Sequence, residues 1–453
     1  MVRMRMTAVL AAALLVLAAC GGDTGADTAQ GDDAEPAAGE ESAAEGGGEG
    51  PISFLSLAWQ EQSVAANERI VETWNAEHPE SPVEYIQGDW DSVHDYLLTS
   101  FEGGEVPDVF HYESAEITGF ADSGYLTDLS GLISEELRAD IQEGAWETVE
   151  EDGAVYGVPF LWESRIGLYN ATLFEQAGIE PPTTEDPWTW DEFREASAQL
   201  TVDGDGDGTA EQYGAAFGLS SPVNFVMNLS QNFDGDYFYD EGGQTTVQVG
   251  EAEGQVPQLV HDMIYADGSV SPDGVSLNGV ELMPGFFEGK YAMLPGIGVW
   301  ARQQLIEGAP EGFEWGIYPP LEGESQAQGS STQTLSVPAE SENPEAAVAF
   351  IEYFLSTENM AELALGDWLL PTRTSSAEQP ELTTEEAGWD VASASMEHLA
   401  LAPYQTVRGY TEWSDRVAGP VFQEYFADRI TWEEAATRLE EEGNAVLAEY
   451  AEE

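Results

Sequence analysis

The chain of 453 residues has one cysteine, Cys20, and one lysine, Lys290. A single thiol excludes an intramolecular disulfide, so packing alone must hold the fold. Against 86 Asp and Glu stand 13 Lys and Arg, a formal net charge of −73, which excludes a general basic surface for nucleic acid. The apolar run from Ala8 to Ala19 is too short to span a bilayer. HExxH and Walker A patterns are missing, and the histidines are scattered singly. Gly274-Val275-Ser276-Leu277 continues with Asn278 where a nucleophile elbow needs its second glycine. Catalysis therefore has no motif behind it, and with so many carboxylates an imagined glycosidase pair carries no weight. The acids are spread over the whole chain rather than gathered on one segment, as expected of a halophilic surface kept soluble by hydrated carboxylates.

What is present begins at the amino terminus. Arg3 and Arg5 precede the apolar run, which closes on Leu17-Ala18-Ala19-Cys20-Gly21, the layout of a cleaved secretory signal. Leu-Ala-Ala-Cys resembles the lipobox of bacterial lipoproteins. That resemblance implies a signal peptide over residues 1–19, an acylated Cys20, and an extracellular protein held to the cell membrane by its lipid. Residues 20–50 are rich in Gly, Ala, Asp and Glu with no aromatic residue, a linker that cannot bury enough surface to fold. From Pro51 onward Trp, Tyr and Phe are frequent, and the remaining 400 or so residues exceed what one core organises, so two lobes are expected.

The folded part reads as strand and helix in alternation. Ile52 to Leu57 has strand character, Ser63 to Glu77 helical, Val83 to Ile86 strand, Asp91 to Phe101 helical, and Val106 to Phe110 strand. This order predicts an α/β fold with an open sheet whose ligands meet the carboxyl ends of the strands, that is, the loops after Leu57, Phe110 and Phe160.

A family resemblance rests on phrases spread along the chain. They are Trp74-Asn75-Ala76-Glu77-His78-Pro79, Pro107-Asp108-Val109, Gly124-Tyr125-Leu126-Thr127-Asp128-Leu129 and Tyr156-Gly157-Val158-Pro159, followed by Leu168-Tyr169-Asn170, Leu173-Phe174-Glu175-Gln176-Ala177-Gly178, Trp190-Asp191-Glu192-Phe193, Phe286-Phe287-Glu288-Gly289-Lys290-Tyr291-Ala292-Met293 and Asn343-Pro344-Glu345-Ala346-Ala347. In this order the chain resembles the extracellular solute-binding proteins of ABC importers, in the carbohydrate branch that includes maltose-binding proteins. The resemblance implies a two-lobed periplasmic-binding-protein-like fold with a ligand cleft between the lobes. It assigns residues 51–163 and 317–367 to a first lobe, and 164–316 and 368–453 to a second. The implied partners are a small-molecule saccharide and the permease's transmembrane subunits, met by a monomer. A polyamine-binding protein of the same fold is the main alternative, and an extracellular glycoside hydrolase a more distant one.

Sugars present hydroxyl edges and apolar faces, so their sites combine aromatic platforms with carboxylates, amides or guanidinium groups. Trp59 and Gln60 follow the first strand, and Tyr112 and Glu113 follow the third. Trp162, Glu163 and Arg165 fall on the segment that crosses between lobes in the family, with Glu163 at the position of a ligand-binding carboxylate. Trp300 and Trp368 stand at family contact positions, and Phe225 and Asn228 align with a segment that supplies an aromatic and a polar contact. Asp203, Asp205 and Asp207 in Asp203-Gly204-Asp205-Gly206-Asp207-Gly208 match the first, third and fifth ligands of a calcium loop. Gly214 occupies the twelfth position, where a glutamate belongs, and Glu211 is the available substitute.

Overall fold

A computed structural model describes residues 51–151, 153–240, 242 and 244–451. The signal peptide, Cys20 and the linker lie outside the described residues.

Two sheets organise the chain. The first has six strands in the order Leu370–Pro371, Val158–Trp162, Thr332–Ser336, Val109–Glu113, Ile52–Ser56, Val83–Gln87. Ile52–Ser56 runs parallel to both of its neighbours, with Ile52 opposite Val83 and Phe54 opposite Val109. Thr332–Ser336 is antiparallel to the strands on either side. The second sheet has the order Trp315–Tyr318, Arg165–Asn170, Tyr291–Gly298, Tyr213–Ala215. Alternation splits the first sheet's side chains between its two faces. Ile52 and Phe54 join Val71, Trp74 and Phe350 on one face, while Leu55 and Phe110 join Leu97, Phe101 and Phe120 on the other.

Helices cover these faces because their apolar positions fall on one stripe. In Glu61–Glu77 the buried Ala66, Ile70 and Trp74 are spaced four apart with Val71 beside them on the same stripe, and Trp74 Nε1 anchors the turn beyond by donating to the Ser81 carbonyl at 2.8 Å. Val93–Gly103 ends where Gly104 turns left-handed at φ 68°. The third strand begins three residues later than the sequence predicts. Pro107 has no N–H for a ladder, and the Asp108 carboxylate accepts from Ser53 N at 2.8 Å and Ser53 Oγ at 2.7 Å, closing the sheet end before Val109.

The chain leaves the first sheet at Trp162 and enters the second at Arg165, so Glu163 and Ser164 are the crossing. Two other segments run beside it, Gln328–Ser330 and Leu399–Leu401, paired in parallel. Buried polar groups tie the three together. Gln328 Oε1 accepts from Arg165 N at 2.7 Å, Gln328 Nε2 donates to Ser164 Oγ at 3.2 Å, and the Ser164 and Ser395 hydroxyls lie 2.7 Å apart. Strand membership differs from the expected lobe boundaries at two places. Ile317 and Tyr318 remain in the second sheet, and Leu370–Pro371 pairs with Val158–Trp162 of the first. The C-terminal helix Trp432–Ala451 closes the second core, with Ala435, Leu439, Val446 and Leu447 packed in the same cluster as Val247 and Trp413. Among the described residues no helix is long and apolar enough to cross a membrane.

Candidate functional site

Two cavities meet at the crossing and share Arg165 and Asn224. The smaller, about 20 Å³, is lined by Glu113, Glu163, Asn228, Ser330, Ser331 and Tyr404 besides those two. The larger, about 230 Å³, is bounded by Phe225, Asn278, the backbone from Pro295 to Gly298, and Trp300. Its wall is made by an irregularity in the strand Tyr291–Gly298. The register with Arg165–Asn170 shifts between Leu294 and Ile297, Gly296 takes φ 65°, and the Gly296 carbonyl accepts from Arg165 Nη1 at 3.3 Å. A bulge thus turns a ladder carbonyl into the anchor of the site's guanidinium.

Glu163 and Trp300 are joined directly. Trp300 Nε1 donates to Glu163 Oε1 at 3.1 Å, while the Glu163 carbonyl accepts from Ser330 Oγ at 2.5 Å. Gly298 makes room for the pair: a Cβ there would lie 2.2 Å from Trp300 Nε1 and 2.3 Å from Glu163 Oε1. Glu113 ends the strand Val109–Glu113 and accepts a hydrogen bond from Ser331 Oγ. Burial raises its carboxyl above the usual range, the Glu163 charge adds to the rise, and the Ser331 hydroxyl and Arg165 oppose it. Tyr404 stacks on Tyr410 with centroids 4.4 Å apart, and burial pushes its hydroxyl far up, so it stays a neutral donor.

Of the residues singled out from sequence, Glu113, Glu163, Arg165, Phe225, Asn228 and Trp300 line these cavities. Asn228 Oδ1 is buried without a hydrogen-bond partner, and so is Arg165 Nε. The others are placed elsewhere. Tyr112 shares the face of Phe110 and stacks on Phe120, its hydroxyl 3.3 Å from His94 Nδ1, because alternation sends adjacent side chains to opposite faces and Glu113 takes the cavity side. Gln60 is buried at the start of the helix Glu61–Glu77 and donates to the Asp367 carbonyl at 3.0 Å. Trp59 beside it is 54% exposed and lines neither cavity. Trp162 is buried within the first sheet, opposite Thr332 and Leu370. Trp368 is buried against Trp389, centroids 5.6 Å apart, rather than open to either cavity.

Sequence reading missed Asn224, Asn278, Ser330, Ser331 and Tyr404. The signal was faint but present: Gln328-Gly329-Ser330-Ser331-Thr332 is an uninterrupted small and polar run, and it is buried throughout or nearly so. A polar stretch that is buried needs partners, and the cavity is where they meet.

In the acidic loop, Asp203, Asp205 and Glu211 offer oxygens within 4.8 Å of one another. Asp207 is spent on Thr209 N at 2.8 Å. The others already accept from the loop's own backbone, Asp203 from Gly206 N at 2.7 Å and Gly208 N at 3.0 Å, Glu211 from Gly204 N at 2.7 Å.

Residues 58–361 match the family model described as bacterial extracellular solute-binding protein. A Streptomyces antibioticus protein named "Uncharacterized lipoprotein in oleD 5'region" is 42% identical over 434 residues, 95% of this chain and 90% of that protein. The arabinooligosaccharide-binding protein of Halalkalibacterium halodurans is 24% identical over 326 residues, 69% of each chain. Among solved structures, the GacH receptor of Streptomyces glaucescens, determined unliganded and with acarbose, superposes with a TM-score of 0.72 at 24% identity, covering 88% of this chain and 99% of that one.

Proposed function

The chain belongs to the bacterial extracellular solute-binding proteins, and from that premise we propose that it captures a neutral saccharide between its lobes and passes it unaltered to the permease of an ABC importer. The observation that carries this reading is the company kept by Trp300: an aromatic ring beside carboxylate, guanidinium, amide and hydroxyl groups. Arg165 offsets Glu163, and burial pushes Glu113 toward its neutral, proton-donating form. Hydroxyls can be gripped by such groups while an apolar sugar face rests on the indole. A polyamine would be held by carboxylates alone, and here the Arg165 guanidinium stands among them. The names of the relatives point the same way, since the Halalkalibacterium protein is named for an arabinooligosaccharide.

The mature protein is held outside the cell by acyl chains on Cys20, and residues 20–50 give the lobes reach to the permease. The name of the Streptomyces antibioticus relative, a lipoprotein, supports the anchor. Residues 51–163 and most of 317–367 form the first lobe in this reading. Calorimetry with maltotriose, arabinotriose and spermidine tests the substrate class: heat with either sugar and none with spermidine is expected, and the reverse overturns it. Mass spectrometry of the recovered sugar tests the absence of hydrolysis, because a binding protein returns it intact.

A further inference from the structure

Arg302 is fully buried, and its guanidinium donates only to backbone carbonyls. Nε reaches Val299 O at 2.8 Å, Nη2 reaches Trp368 O at 3.2 Å, and Nη1 lies 3.5 Å from Ala387 O. The cation also sits over two indoles, 3.9 Å from the Trp389 centroid and 5.4 Å from that of Trp368. Burying a guanidinium without a carboxylate is costly.

The two carbonyls reached by the Nη atoms have something in common. Trp368 at φ 57° and Ala387 at φ 53° are left-handed, a conformation that side chains other than glycine resist. Both therefore hold an unfavourable backbone shape while presenting a carbonyl to the same cation. Trp368 follows the helix Thr357–Asp367 and precedes the first-sheet strand Leu370–Pro371. Gly388, next to Ala387, abuts Ile317 of the second sheet. Val299 is held on its other side by Ser164 of the crossing, which accepts its N–H at 2.9 Å. Trp300 comes next in the chain, so it follows a residue whose N–H and C=O are both held.

We propose that Arg302 is the positioning residue of the ligand platform: it clasps the Val299, Trp368 and Ala387 carbonyls from three segments so that the Trp300 indole faces Glu163. Cation and indole faces are attracted through the ring quadrupole, and the planar fork satisfies carbonyls in different directions, which neither lysine nor an apolar side chain can do. The two left-handed residues are the means by which the return segments bring their carbonyls to it. This inference rests on Trp300 being the ligand platform.

The test uses the full mature chain labelled with ¹⁵N-tryptophan, with the Trp300 indole signal assigned through Trp300→Phe. In Arg302→Met, where the side chain keeps its length and loses its donors, the Trp300 indole N–H should shift and exchange with solvent at least tenfold faster. Affinity for maltotriose should fall about tenfold or more while the melting temperature changes little. Arg302→Lys, which keeps the charge but not the fork, should restore part of both, and it serves alone if the Met variant does not fold. An unchanged indole signal in the variants overturns the proposal. So does a loss of affinity that tracks melting temperature with no indole change. The indole readout needs no ligand: if no chain, wild type included, binds maltotriose yet the signal moves, the clasp stands and the choice of saccharide falls.

Discussion

Trp300 donates its indole N–H to the Glu163 carboxylate at 3.1 Å, joining two residues 137 positions apart at the place where the chain passes from one sheet to the other. The bond orients the ring and occupies one carboxylate oxygen of Glu163. It depends on Gly298, where an added methyl group would intrude on both partners.

Gly298→Ala should therefore separate the pair without unfolding the strand, since the clashing atoms belong to side chains that can turn away. Saccharide affinity should fall by about tenfold, roughly 1.4 kcal/mol. Trp300→Ala should cost more, because the platform itself is lost, and Glu163→Gln about 1.5 to 3 kcal/mol for a charged hydrogen bond. Calorimetry on the three variants checks the order, and equal affinity of Gly298→Ala and wild type contradicts it.

The pH dependence of stability has an identifiable source in Asp367. Its carboxyl is buried between the helices Glu61–Glu77 and Thr357–Asp367, and burial raises it to about 7. The folded state then holds a proton that the unfolded chain has released above its ordinary value of 3.8. Its contribution is fully present below that value and is lost as pH rises through about 7. Asp367→Asn should remove this part of the decline, so the difference in melting temperature between variant and wild type should grow in the variant's favour from pH 4 to about 7 and level off above. A difference independent of pH would mean that Asp367 is ionised throughout.

Much of this was legible in the sequence. Periodicity gives the first helices and strands, the positions of Glu163 and Arg165 follow from phrases flanking the crossing, and that of Trp300 from the strand that precedes it. What could not be read is which side of a strand faces the cleft. Tyr112 and Glu113 are equally placed by position, and only the alternation fixed by Phe110 in the helix-covered layer decides for Glu113. Trp368 was equally ambiguous, since an indole suits a platform or a core, and its fate depends on Trp389 and Arg302, both remote in sequence. Ser330, Ser331 and Tyr404 contribute through backbone tracks that come together only when the crossing segments pair.

The proposed lipid anchor turns on Cys20. Cys20→Ser should leave the precursor uncleaved or release the protein to the medium, because one acyl chain binds only marginally and stable residence takes more than one. Fractionation followed by mass spectrometry of the amino terminus checks it. A membrane-bound wild type with an unmodified terminal residue would remove the lipid from the account.

Salt should stabilise this protein, and the ion pairs show why. Arg373 lies between Asp140 and Glu136, Arg416 between Glu412 and Glu449, and Arg438 between Glu424 and Glu442, so single guanidinium groups are shared by two carboxylates. With 13 basic residues for 86 acidic ones, most carboxylates find no cation in the chain. At 0.01 M salt the screening length is about 30 Å and repulsion reaches across a lobe, whereas at 1 M it is about 3 Å. The melting temperature should climb steadily between those limits. A chelator at constant high salt should change it far less, because the carboxylates of the Asp203 loop already accept from Gly206 and Gly208 and from one another's neighbours along the turn. Melting curves over that range, with and without chelator, decide both points: indifference to salt would remove the halophilic reading, and a large chelator effect would place a structural ion among Asp203, Asp205 and Glu211.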